Sequence, residues 1–219
     1  MVDGIGKDST QVARSFMKNT VWKRPEILDK LKAETDELHH RLQINKAFEG
    51  LTGDNPSINQ YTRLLMKFLP FYREIEQKLA EVQDWEFVGF NFKEKRKSHL
   101  IEKDLKFLGL TDEKLQSIPA CKEIPELNTI QQALGCMYVL EGSMLGAQLL
   151  AKNLNTHFGY DSDNGCAYLK CYGEGQSVGL KFREFANFLA KHSSCADESE
   201  IVNSAKATFE SLDKWLLNV

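Results

Sequence analysis

His39 is the residue in this chain best placed to ligate a metal. Stepping by three and four residues, it shares a helical face with Leu28, Leu31, Thr35 and Leu42, a pattern that points it inward. An inward imidazole has two readings. It is a core histidine satisfied by a neighbour, or a metal or haem ligand whose other ring nitrogen is oriented by Gln43, one turn on. His40 lies about 100° away beside Asp36 and Glu37 and belongs to the solvated face. The second feature is Tyr138-Val-Leu-Glu-Gly142-Ser-Met-Leu-Gly146-Ala-Gln148, with two glycines one turn apart inside an apolar run. A glycine within a helix costs about 1 kcal/mol relative to alanine, so the pair costs about 2 kcal/mol. In exchange it leaves a bare strip of backbone on one face. Another helix could pack closely there, with Gly135 and Ala147 extending the strip, or a flat ligand could lie against it.

Histidine and glycine strip together are more specific than either alone. A planar porphyrin needs an axial ligand on one side and room for a small diatomic molecule on the other, and backbone without side chains supplies that room.

Helices are expected to position these groups. Apolar residues recur at helical spacing almost throughout, proline is scarce and β-branched runs are short. The spacing predicts helices over about 25–48, 58–82 (with Ser57 as N-cap and Pro70 kinking it), 93–108 (closed by Gly109), 127–157, 180–192 and 197–217. Residues 111–126 read as a polar connection. The expectation is a single all-α domain of about seven helices over 25–219, preceded by an N-terminal extension, 1–24.

Bulk properties exclude several classes. A net charge of −3 gives no global attraction to nucleic acid or anionic membrane, so any anionic ligand must meet a local basic cluster. The sequence shows no run resembling a membrane span, and the charges among residues 1–24 argue against a secretory signal. Five cysteines without a CxxC pair predict reduced thiols in the cytoplasm. No GxGxxG follows a strand, so no nicotinamide or flavin site is expected.

The residues also carry a resemblance. Lys32-Ala-Glu-Thr35-Asp-Glu-Leu-His39 resembles the LK-xx-T-xxx-H signature of heme oxygenases, and Tyr138 to Gln148 resembles their distal helix in the YVLEGSxLGG form of bacterial members, including those that accompany bacteriophytochromes. Arg96 to Gly109, Gly179 to Phe185 and Ala205 to Trp215 resemble further family segments, so that the likeness spans about 25–217. It implies the heme oxygenase-like all-α fold, with His39 as proximal iron ligand and Gly142 and Gly146 contacting haem from a distal helix that bends between them. Lys32, Lys181 and Arg183 would bind the propionates, with Thr35, Gln43 and Tyr138 completing the cofactor-binding set. The implied reaction is cleavage of haem, both substrate and cofactor, to biliverdin, CO and ferrous iron. Electrons would come from a ferredoxin, flavodoxin or reductase, and biliverdin would pass to an acceptor.

Two positions depart from the family pattern. Ser143 stands where many members place an aspartate that anchors the proton-delivering waters, and Gln43 where many place a carboxylate beside the proximal imidazole. These departures favour, as an alternative, a non-catalytic haem-binding protein on the same fold; a helical interaction protein without haem is a second alternative. A thiaminase-like relative would require Cys136 as nucleophile, and no activating base is evident.

Overall fold

The computed structural model describes residues 22–51, 53–85, 87–173 and 176–217. Of the N-terminal extension, residues 1–21 lie outside the described residues. Trp22 packs back on the domain, its indole donating to Asn187 at 3.0 Å. The described residues form seven α-helices and no strand: α1 (Glu26–Gln43), α2 (Ile58–Glu81), α3 (Ser98–Phe107), α4 (Asp112–Gln116), α5 (Ile130–Phe158), α6 (Gln176–Lys191) and α7 (Glu198–Leu217).

Local chemistry explains most boundaries. The Ser57 hydroxyl caps α2 by accepting from Gln60 N, and Thr129 caps α5 by accepting from Gln132 N. Gly159, at φ 69°, ends α5 in the left-handed conformation that glycine adopts without penalty. Pro70 lies buried within α2, which continues through it.

Three elements depart from the periodicity. The first helix ends at Gln43 rather than near 48, because the Asn45 side chain accepts from Ala47 N and opens a 3-10 turn, Lys46–Phe48. α3 starts at Ser98 rather than 93, because Glu76 of α2 captures the Lys97 and Ser98 backbone N–H groups, at 2.5 and 2.9 Å, and so caps α3 from outside. The connection expected at 111–126 contains α4, capped by the Thr111 hydroxyl.

α7 is the common support. It packs along α5 and α1, and partners rise together along each pair, so α1 and α5 both run in its direction. Lys30, Glu34 and Arg41 of α1 pair with Glu198, Lys206 and Asp213. Gln131, Gln132 and Cys136 of α5 meet Asp197, Ser204 and Thr208. Contrary to the sequence expectation, α5 is long and apolar enough to cross a membrane by length and composition, yet 56% of its most apolar window is buried. It is the central core helix.

Asp104 of α3 anchors the segment before α6, its fully buried carboxylate accepting from Ala167 N at 2.7 Å and Tyr168 N at 2.9 Å. Burial outweighs these bonds and pushes its pKa up to about 6 from 3.8. A folded pKa above the unfolded one contributes stability that is fully present below the unfolded value and is lost as pH rises through the folded value. The difference in unfolding free energy between wild type and Asp104→Asn is therefore expected to shrink from pH 4 to pH 7 in urea titrations. A difference independent of pH would contradict the assignment.

Candidate active site

α1 and α5 approach each other at Thr35 and Tyr138. Thr35 is buried and donates its hydroxyl to Leu31 O at 2.7 Å. Burial raises the half-buried Tyr138 phenol, and the Thr35 hydroxyl opposes the rise. One turn beyond this contact lie His39 on α1 and Gly142 on α5.

His39 does not point into the core as its helical face suggested. It is exposed, its ring edge-on to Phe209 of α7 at 5.9 Å. Leu28, Leu31 and Thr35 on the same face are buried, but periodicity does not report where along the helix that face ceases to be covered. Among the described residues neither ring nitrogen is hydrogen-bonded, which removes the reading as a satisfied core histidine. Gln43, expected to orient the ring, is exposed at the end of α1 and makes no bond to it. His40 is exposed, as expected.

The glycines divide by role. A Cβ at Gly135 would sit 2.2 Å from Ile201 O and 3.0 Å from Ala205 N, so close helix packing belongs to this residue. A Cβ at Gly142 would meet only the Phe182 ring at 3.8 Å, and one at Gly146 nothing within 4 Å. Leu145 and Leu149, 44% and 66% exposed, extend this bare strip into an uncovered apolar face, such as marks a binding surface. α5 runs as one continuous helix past both glycines.

Ser143 is exposed beside the strip and donates to Leu140 O at 2.8 Å. Behind it the Tyr72 and Tyr168 hydroxyls share a hydrogen bond of 2.8 Å. Burial raises the Tyr72 phenol well above its usual range, and the Tyr168 and Ser143 hydroxyls work against the rise. A row of hydroxyls thus leads from the open face into the core.

The basic candidates lie on two helices, α1 and α6. Lys32 is exposed on α1. Lys181 and Arg183 flank Phe182 on α6; Lys181 pairs with Glu184 at 2.8 Å and Arg183 lies over the Trp22 ring at 5.2 Å. Phe182, Tyr72 and Tyr168 were missed from sequence. Phe182 sat within the matched Gly179 to Phe185 stretch, Tyr72 read as one more core aromatic of α2, and Tyr168 lies in a turn without periodicity.

Elsewhere the described surface offers little competing chemistry. A concavity of about 560 Å³ is lined by charged groups including Arg73, Glu76 and Arg96, away from His39 and Gly142. No three metal-binding side chains cluster among the described residues. Cys136 is buried and its thiol is pushed up to about 12 by burial, which leaves it inert as a nucleophile.

With this geometry in view, comparison with known families is decisive: the heme oxygenase family model matches residues 26–218. The chain belongs to the heme oxygenase family. Among curated protein sequences none matches it. Similar solved structures include a heme oxygenase from Neisseria meningitidis, determined with NO and CO bound, at 22% identity and TM-score 0.69 over 87% of this chain and 89% of that one. A heme oxygenase from Leptospira interrogans shares 16% identity, TM-score 0.65, over 88% and 99%. Heme oxygenase-1 from the cyanobacterium Synechocystis, in complex with heme, shares 17%, TM-score 0.64, over 87% and 90%. At these identities the likeness establishes the fold, and the family match establishes a heme oxygenase whose substrate and cofactor is haem, with the iron that haem carries.

The glycine roles predict opposite stability effects. Gly135→Ala should lose about 1–3 kcal/mol by overpacking, whereas Gly146→Ala should gain about 0.5–1 kcal/mol from helix propensity. Urea unfolding of the haem-free protein measures both, and equal shifts would contradict the division.

Proposed function

We propose that haem lies in the cleft between α1 and α5, ligated by His39 and faced by Gly142 and Gly146. The carrying observation is the pairing, one turn past the Thr35–Tyr138 contact, of an exposed imidazole with a glycine strip whose absent side chains would meet almost nothing. Such a set fits the group: a free nitrogen donor for iron, bare backbone and exposed leucines for the ring plane, and cations for two carboxylates. Once bound, haem supplies the iron at which O2 is activated for cleavage of the ring to biliverdin, CO and ferrous iron.

The chain's own residues do the rest. His39 binds as a neutral imidazole, and with no carboxylate on its other ring nitrogen it is a weaker donor. Leu145 and Leu149 cover the ring and exclude water. Lys32, Lys181 and Arg183 bind the propionates; the present partners of the last two, Glu184 and Trp22, form exposed contacts that a charge-assisted bond readily replaces. Thr35 contributes by setting α1 against Tyr138, which borders the cleft. Ser143 holds a water near the reacting face. Tyr72 and Tyr168, kept neutral by burial, continue the hydrogen-bonded path inward in place of the aspartate found in many relatives.

Electrons come from an external ferredoxin, flavodoxin or reductase. We assign the chain to the bacteriophytochrome-associated type, working in the cytoplasm with its cysteines reduced and passing biliverdin to an acceptor, with residues 1–24 as an extension to the catalytic domain. The His39 assignment is tested by hemin titration. His39→Ala should abolish the histidine-ligated Soret spectrum and weaken binding at least about tenfold, while His40→Ala should leave both unchanged. A spectrum unaffected by His39→Ala would refute the ligand assignment.

A further inference from the structure

Glu141 precedes Gly142 on α5 and is 1% exposed. Its carboxylate accepts from Lys97 Nζ at 2.7 Å and from the Tyr172 hydroxyl at 2.9 and 2.8 Å, with Lys95 Nζ at 3.5 Å. The two lysine side chains are themselves 3% and 14% exposed, and both ammonium groups lie over the Tyr172 ring, at 5.3 and 4.9 Å. One buried carboxylate thus satisfies two cations and a phenol from two other segments of the chain.

The connection continues to α2. The Lys97 backbone N–H is held by Glu76, and Glu76 lies one turn from Tyr72, whose hydroxyl the Ser143 hydroxyl influences. Two rungs therefore join α2 to α5, Glu76–Lys97–Glu141 and Tyr72 with Ser143. α5 presents apolar side chains over most of its circumference, and apolar contact has no preferred direction. Rotation of such a helix exchanges one apolar contact for another. A buried carboxylate with fixed donors permits a single orientation.

We infer that Glu141 is a positioning residue for haem cleavage, fixing through Lys97, Lys95 and Tyr172 the rotation of α5 that turns Ser143 and Gly146 toward the reacting face. This rests on the haem site proposed above. In the absence of the carboxylate, Lys97 and Lys95 repel each other across Tyr172, and the glycine segment loses its angular reference.

The test uses full-length Glu141→Gln and Tyr172→Phe proteins. Amide hydrogen exchange of the haem-free Gln variant should be at least about tenfold faster over residues 139–148, while α3 and α7 stay within about twofold of wild type. In reductive turnover with hemin, the same variant should give a broader mixture of biliverdin isomers and a lower kcat, with hemin Kd within about threefold of wild type. Unchanged exchange with an unchanged isomer composition overturns the inference. So does uniformly faster exchange in every helix, which would make the cluster a stability device alone. Should Glu141→Gln fail to fold, Tyr172→Phe, which removes one hydroxyl, carries the same expectations at smaller size, and wild-type behaviour in it overturns the inference. The exchange measurement needs no haem, so a failure of the His39 assignment in hemin titration remains distinguishable from a failure of this one.

Discussion

At Gly135 the backbone of α5 lies against the backbone of α7, closely enough that a Cβ would fall 2.2 Å from Ile201 O. The rest of the architecture depends on this approach. It fixes where the central helix sits on the one helix that also carries α1, through Lys30–Glu198 and Arg41–Asp213. The separation of His39 from the Gly142–Gly146 strip is therefore set by what each helix does against α7, together with the Thr35–Tyr138 contact one turn away. A side chain at 135 would push α5 away and change that separation.

The same residue type meets a different environment about two turns later. Gly142 and Gly146 give up helix propensity without packing closely against another element, and Leu145 and Leu149 beside them are exposed. Buried carboxylates with several donors tie neighbouring segments together: Glu76 caps α3, and Glu141 sits among Lys97, Lys95 and Tyr172. Breaking such a buried set typically costs about 3–5 kcal/mol.

Much of the fold was legible in the chain. Apolar spacing located the long helices, and Ser57 and Gly109 marked boundaries because capping chemistry is local. The missed boundary at Ser98 depended on Glu76, a residue 22 positions away in another helix. The site was legible where spacing on one helix sufficed, as in placing Thr35 on the buried face of α1, although His39 on that face is exposed like His40. It was not legible where the answer lay on a facing element. Gly135 and Gly142 are equivalent in sequence terms, and only α7 beside one and open space beside the other distinguish them. Likewise Tyr72 and Tyr168 are 96 residues apart, so nothing in the chain announced their shared hydrogen bond.

Serine in place of a carboxylate at 143 makes the hydroxyl row the central chemical question. Burial keeps Tyr72 and Tyr168 protonated, so they can hold and pass a proton without ionising. The most direct test is reductive turnover of the hemin-loaded protein under O2, with products separated by chromatography. The account predicts loss of the Soret band with formation of biliverdin and release of CO and ferrous iron. A Soret band that persists under reductant and O2, with no biliverdin formed, would contradict it.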